Sequence, residues 1–160
     1  PAGEIAWSQD GALKLDYRLR APRRALSIPP PAVPSRQDGL WWHSCCEAFI
    51  GVPGETGYRE FNFSPSGEWA VYAFADYRAP LPLSPVVGED TAPGIKCERR
   101  RHEWRLLARI PSDLLPTRQP GQALSLGLTA VVEDKGGSLT YWALGIRAPG
   151  RISITPEGGR

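Results

Sequence analysis

Hydrophobic and polar positions alternate with a period of two along much of this chain, which is the signature of strands half in and half out of a core. From Ala12 to Arg20, Leu13, Leu15, Tyr17 and Leu19 alternate with Lys14, Asp16, Arg18 and Arg20. Glu4 to Trp7 precedes it as a shorter strand. Gln9-Asp10-Gly11 supplies the turn between them, because Asp-Gly tolerates positive φ. Arg101 to Ile110 is a strand with His102, Trp104, Leu106, Ala108 and Ile110 on one face. Tyr58 to Ser64 and Glu68 to Tyr77 are two more, joined by a tight Ser64-Pro65-Ser66-Gly67 turn with Pro early and Gly late. Leu40 to Val52 reads as a central strand. Ala123 to Glu133 and Ser138 to Ile146 form a hairpin around Asp134-Lys135-Gly136-Gly137, and Ile95 to Glu98 and Ile152 to Ile154 are short strands, the last at an edge. Ser112 to Leu115 makes a capped helical turn that Pro116 stops.

Two segments break the alternation. The stretch 29–39 opens on three consecutive prolines and is a loop of polyproline character, since proline cannot donate to a central ladder. The Pro-rich stretch 79–94 runs over the surface. Glycine and proline, 17 residues each, make up about a fifth of the 160 residues, which excludes a long-helix protein. The pattern therefore predicts an all-β protein: an immunoglobulin-like antiparallel β-sandwich of about eight or nine strands, in one domain over residues 1–160.

Charge and cysteine content change this picture little. The net charge of +2 comes from 19 basic against 17 acidic residues, so no polyanion is implied and nucleic acid is not an expected partner. No apolar run approaches the roughly 18 residues a membrane-spanning helix needs, so no membrane partner is expected. The three cysteines cannot all pair within one chain, which tilts the expected compartment toward the cytoplasm. The chain begins at Pro1 and contains no methionine, so it reads as a fragment lacking its natural start.

Candidate chemistry concentrates in Trp41-Trp42-His43-Ser44-Cys45-Cys46-Glu47-Ala48-Phe49. As a strand, it places Trp41, His43, Cys45, Glu47 and Phe49 on one face and Trp42, Ser44, Cys46 and Ala48 on the other. A carboxylate among bulky apolar groups is expensive to bury unpaired, so Glu47 either reaches solvent or has a partner, with Arg59 and Arg78 available. A buried ion pair fastening the two sheets is the plain structural alternative. The next strand puts Tyr58, Glu60, Asn62 and Ser64 on one face, opposite Arg59, Phe61 and Phe63. The aromatic pair is core. The polar row suits a hydroxyl-rich ligand, because carboxylates accept hydrogen bonds and amides both donate and accept them; a solvated sheet face is the alternative. Trp42, Trp69, Tyr72 and Trp142 are candidate platforms for the apolar face of a sugar ring.

Metal and enzyme chemistry find less support. His43, Cys45, Cys46, Cys97 and His102 lack paired zinc-ligand spacing, and adjacent cysteines of a strand point to opposite faces, so no metal and no cofactor are expected. Neither a Gly-x-Ser-x-Gly elbow nor a Gly-x-x-x-x-Gly-Lys loop occurs. Glu47 and Glu60 could act as a glycosidase pair only at a separation the sequence does not give. The run Arg99-Arg100-Arg101 is a solvated strand end.

Several strings resemble bacterial DOMON-like domain proteins. These are Leu40-Trp41-x-His43-x-Cys45-x-Glu47-Ala48-Phe49; Tyr58-Arg59-Glu60-Phe61-Asn62-Phe63-Ser64-Pro65-Ser66-Gly67-Glu68-Trp69 followed by Tyr72, Phe74, Tyr77 and Arg78; and Gly127-Leu128-x-Ala130-Val131-x-Glu133 with Tyr141-Trp142-Ala143-Leu144. The resemblance spans roughly Leu13 to Leu144. That family is similar to DOMON domains and family-nine carbohydrate-binding modules. The resemblance implies a sandwich that binds a sugar or haem without catalysis. Haem ligation in DOMON relatives uses Met and His, and this chain has no Met, which shifts the weight to sugar. Cys46 stands where relatives carry Phe, and the tail after Leu144 lacks the expected His-containing stretch. The sequence thus leads to a non-catalytic module for a saccharide-like small molecule. Its polar readers would be Glu47, Glu60, Asn62 and Arg78, and its stacking residues Trp42, Trp69, Tyr72 and Trp142. A sugar-acting hydrolase or isomerase using Glu47 and Glu60 is the first alternative, and a haem-binding or protein-interaction scaffold the second. Oligomeric state is not encoded in any of these features.

Overall fold

The computed structural model describes residues 2–22, 24–77, 79–81, 91–146, 152–153 and 155–156. Alternation becomes strand in nine places with six or more residues among the described residues: β1 (Ala2–Trp7), β2 (Leu13–Arg20), β4 (Cys45–Gly51), β5 (Tyr58–Phe63), β6 (Trp69–Asp76), β8 (Gly94–Arg99), β9 (Glu103–Ile110), β10 (Ser125–Asp134) and β11 (Leu139–Ile146). Four pieces of two or three residues complete the sheets: β3 (Leu26–Ser27), β7 (Ala79–Leu81), β12 (Ile152–Ser153) and β13 (Thr155–Pro156). One sheet has the order β12-β1-β2-β9-β8. The other runs β13-β11-β10-β4-β5-β6-β7, with β3 added beside β10. All these strand pairs are antiparallel, and the two sheets form the sandwich that the pattern predicts.

The core lies between the inner faces. Leu13, Leu15, Tyr17 and Leu19 of β2 and Trp104, Leu106, Ala108 and Ile110 of β9 come from the smaller sheet. Cys46, Ala48 and Ile50 of β4, Phe61 and Phe63 of β5, Trp69 and Val71 of β6 and Leu126, Leu128, Ala130 and Val132 of β10 come from the larger. The Phe61 and Phe63 rings stack with centroids 6.2 Å apart. Tyr17, only 3% exposed, donates its hydroxyl to the Glu47 carbonyl at 2.7 Å, which ties β2 to β4 across the sandwich. A buried phenol needs such a partner, and here the partner is backbone of the candidate site.

Turn chemistry sets the registers. In the β5–β6 turn, Gly67 donates to the Ser64 carbonyl at 3.0 Å and holds φ at 96°, a conformation that excludes a β-carbon at little cost only for glycine. Buried Ser64 and Ser66 satisfy each other at 2.7 Å, and Ser66 also reaches Glu68 at 2.7 Å. Asp134 closes the β10–β11 hairpin by accepting from Gly136 and Ser138 at 2.8 and 3.0 Å.

Several boundaries differ from expectation. The predicted strand from Leu40 starts only at Cys45, because Leu40–Trp42 forms a 3-10 turn. Gly39, at φ 75°, turns the chain there, and Trp42 and His43 donate back to Gly39 and Leu40. Arg101 and His102 belong to the β8–β9 turn, closed by the Arg100 amide on the Glu103 carbonyl at 2.7 Å, so β9 begins at Glu103. The 3-10 turn Ser112–Leu114 follows Pro111 and has no side-chain cap, against the expected serine cap. The predicted 79–94 loop contributes β7 and the start of β8, and its residues 82–90 lie outside the described residues. The 29–39 segment is an ordered strap: Ala32, Trp69 and Gln37 exchange backbone hydrogen bonds of 2.9–3.0 Å with Ser66, Ser35 and Trp69 along the start of β6.

Tyr17→Phe removes the hydroxyl that spans the sheets while leaving the ring. It is expected to lower stability by about 1–2 kcal/mol, or roughly 2–8 °C in Tm at this size, without changing the denaturant m-value. Urea unfolding of the two proteins measures both quantities, and an unchanged midpoint would show that the bond holds nothing together.

Candidate functional site

Burying Cys46, Ala48 and Ile50 inward turns Cys45, Glu47 and Phe49 outward, because successive strand side chains alternate. The same rule turns Tyr58, Glu60 and Asn62 outward opposite Arg59, Phe61 and Phe63. The registers then assemble two rows on the outer face of the larger sheet. One row reads Thr129, Glu47, Asn62 and Ala70, from β10 to β6. The other reads Gly127, Phe49, Glu60 and Tyr72. Directly opposed residues in an antiparallel pair have Cβ atoms roughly 4.5–5.5 Å apart, so Glu47 neighbours Asn62, and Glu60 lies between Phe49 and Tyr72.

The strap roofs one end of these rows. Leu40 packs with Cys45, Ala70 and Tyr72 in a small cluster separate from the main core. Trp41 meets Tyr72 edge-on at 6.2 Å and Trp42 at 6.5 Å, giving an aromatic wall that stays partly open: Trp41 is 36% and Trp42 67% exposed. On the other flank, Phe49 lies 6.4 Å from Tyr58, which stacks on Phe74 at 4.8 Å. Glu60 thus sits between two aromatic groups, with Glu47 in the neighbouring row.

Hydrogen bonding within the floor is lopsided. Thr129 donates its hydroxyl to Glu47, Asn62 donates its amide to Glu60 at 3.2 Å, and Tyr72 donates to Asp38 at 2.6 Å. Asn62 is fully buried, and its Oδ1 has no partner among the described residues. Burial pushes the Glu47 carboxyl above its ordinary range; the Thr129 bond opposes this and the Glu60 charge adds to it. Burial likewise raises Glu60 against the pull of Asn62. The Tyr72 phenol is raised by burial and by the acceptor Asp38. Among the described residues no Lys or Arg pairs with Glu47 or Glu60.

The predicted site residues divide. Glu47, Glu60, Asn62 and Tyr72 come together on one face. Trp42 joins them, but through the 3-10 turn instead of a strand face, which also brings Trp41, a residue the sequence reading did not select. Trp69, 5% exposed, is part of the core and presents no stacking surface. Trp142 opposes inward-facing Ala130 and packs on the same core. Arg78 lies outside the described residues. Arg59 does not pair with Glu47: it faces inward and donates to the Leu114 carbonyl. Thr129 was missed because only the β10–β4 register shows that it faces Glu47. A break in the strand at Asp38-Gly39 was the available signal for Trp41.

The thiols and imidazoles do not converge. Cys45 and Cys46 bury on opposite faces, the three cysteines are free, His43 pairs with Glu133 at 2.8 Å, and His102 is exposed in its turn. Among the described residues no group of three or more His, Cys, Asp or Glu side chains could hold a metal.

Two concavities lie elsewhere. One, of about 620 Å³, runs over Ala6, Gly94 and Leu107 on the outer face of the smaller sheet. Its charged rim is engaged internally, with Arg109 on Asp10, Lys96 on Glu98 and Asp16 on Arg18 and Arg105. The other, of about 200 Å³, opens over Leu26, Ile28 and Trp104. Converging polar groups with an orphaned acceptor single out the Glu47–Glu60 face as the candidate, because a few placed polar groups are what fix a ligand's orientation.

No protein-family model matches the chain, and no curated protein matches it. Among solved structures, the chain is similar to a protein from Bacteroides uniformis solved as a candidate carbohydrate-binding protein. The TM-score is 0.55 at 16% identity, over 92% of this chain and 71% of that one. At that identity the likeness is one of fold.

Proposed function

We propose that this chain is a non-catalytic saccharide-binding module, kin to the DOMON-like family, with the outer face of the larger sheet as its site. The observation that carries the proposal is the polar floor of Glu47, Glu60 and Asn62 set against the open aromatic wall of Trp41, Trp42 and Tyr72. A pyranose ring stacks an apolar face on an indole while its hydroxyls donate to carboxylates. The Bacteroides uniformis neighbour supports the proposal through its fold and its own description. Arg78, outside the described residues, is not part of this reading, and Trp69 and Trp142 take no stacking role.

A thermal-shift and calorimetric screen against mono- and oligosaccharides tests the proposal. A ligand at 100 times its Kd adds about 2.7 kcal/mol of apparent stability. A saccharide is expected to bind, and Glu60→Ala or Trp42→Ala to weaken it at least about tenfold while each variant stays folded. Absence of any saccharide response, or a response untouched by both variants, would overturn the proposal.

A second function has a specific observation in its favour. Glu47 and Glu60 are both shifted toward the protonated form, and the charge of one raises the other, as in an acid–base pair. Hydrolysis of aryl glycosides, abolished by both Glu47→Gln and Glu60→Gln, would establish it. Under the binding proposal no turnover above the buffer rate is expected.

The raised carboxyl also has a thermodynamic consequence. Below the ordinary value near 4.5, Glu47 is protonated folded or unfolded. As pH climbs past 4.5, the unfolded chain ionises first, so its share of stability falls until pH passes the folded value. Glu47→Gln lacks this loss. The Tm advantage of Glu47→Gln over the natural protein should therefore grow with pH from about 4.5 upward and then level off; melting curves across pH measure it.

A further inference from the structure

The donors of the site floor are already committed to the protein itself. Thr129 gives its hydroxyl to Glu47, Asn62 its amide to Glu60, and Tyr72 its hydroxyl to Asp38. What the described floor presents to a ligand is acceptor capacity, the free lone pairs of two carboxylates, above a fully buried Asn62 Oδ1. That oxygen is an independent sign of an unmet donor. Asn62 is fully buried, and the bond of its amide to Glu60 turns Oδ1 the other way, where no described group meets it. A buried acceptor without a donor costs about 1–3 kcal/mol, so natural proteins keep few of them without a use.

Acceptors between aromatic rings are the surroundings an ammonium group needs. An ammonium offers three donors and no acceptor, matching what the floor lacks. Its charge-assisted bonds to carboxylates are roughly twice as strong as neutral ones, and nearby ring faces attract it further. Tyr72, with Trp41 against it, stands on one side of Glu60, and Phe49 on the other. The Arg36 guanidinium, which lies 5.7 Å from the Tyr72 ring centre, is paired with Asp38, and no described cation compensates Glu47 or Glu60. A metal ion is the other cation to weigh. Calcium takes six to eight oxygen ligands, and the floor supplies two carboxylates and one amide oxygen, so a cation that brings its own directed donors fits better.

Resting on the saccharide-binding proposal, we propose that the ligand class is cationic: an amino sugar whose free ammonium sits on Glu47 and Glu60 while its ring packs against the Trp41–Trp42 wall. A uronic acid, which adds a carboxylate, is excluded by the same geometry.

Isothermal titration with glucosamine, glucose, N-acetylglucosamine and glucuronate at a pH where the amine is protonated tests this. Glucosamine should bind at least about tenfold tighter than glucose, a difference that shrinks in high salt. N-acetylglucosamine, whose amine is acylated and neutral, should lose the advantage, and glucuronate should not bind. Glu60→Gln and Glu47→Gln, which keep the shape and one acceptor oxygen but lose the charge, should each remove the preference for glucosamine over glucose. Glucose binding as tightly as glucosamine would overturn this inference and leave the saccharide-binding proposal standing. Failure of every sugar to bind would overturn both. Calcium that binds at the site and displaces glucosamine would overturn the inference in favour of a metal.

Discussion

Inward burial of alternate residues on two neighbouring strands is the constraint behind every outward feature. Cys46, Ala48 and Ile50 of β4 pack beside Phe61 and Phe63 of β5, all fully buried. A slip of one residue in β5 would place Glu60 in the core and Phe61 and Phe63 in water, and a slip in β4 would bury Glu47 and expose Ile50. Two charges driven inside would cost several kcal/mol each, comparable to the stability of a whole domain. The polar floor is therefore held in place by what lies on its opposite face. The Tyr17 hydroxyl adds a directional clamp, because it grips the carbonyl of the same residue that presents the Glu47 carboxyl.

The strands were legible because period-two burial is a local property. Leu13 to Leu19, Trp104 to Ile110 and Phe61 to Phe63 fall inside as their alternation requires. The floor was legible for the same reason: Glu47, Glu60 and Asn62 share a face once their strands pair. The errors have a common cause as well. Trp41 and Trp42 lie in a segment where Gly39 breaks the extended geometry, and alternation says nothing about a 3-10 turn. Trp69 and Trp142 had the right chemistry and the wrong face, and only the partners across the sheet, Phe63 and Ala130, reveal it. Thr129 contacts Glu47 across a separation of 82 residues, which no local pattern carries.

Charge is organised differently on the two outer faces. On the smaller sheet, Asp16 is bracketed by Arg18 at 2.7 Å and Arg105 at 2.8 Å. Burial alone would raise its pKa, yet the two guanidinium bonds win and lower it. On the larger sheet, Glu47 and Glu60 are buried without such partners among the described residues and move the opposite way. The same residue chemistry thus serves cohesion on one side and is left strained on the other. Strain that the fold tolerates at one face and neutralises at its counterpart marks a face where stability has been traded for something else.

The strap from 29 to 43 divides the site into two separately alterable parts. Its backbone is anchored on the edge of β6 through Ser35, Gln37 and Trp69, while Trp41 and Trp42 project from its end. The carboxylates stand on central strands whose other faces hold the core. Change in the wall need not disturb packing, whereas change in the floor must respect it. A lineage built on this plan can reshape the aromatic wall through a surface loop while the two carboxylates stay fixed by the sheet.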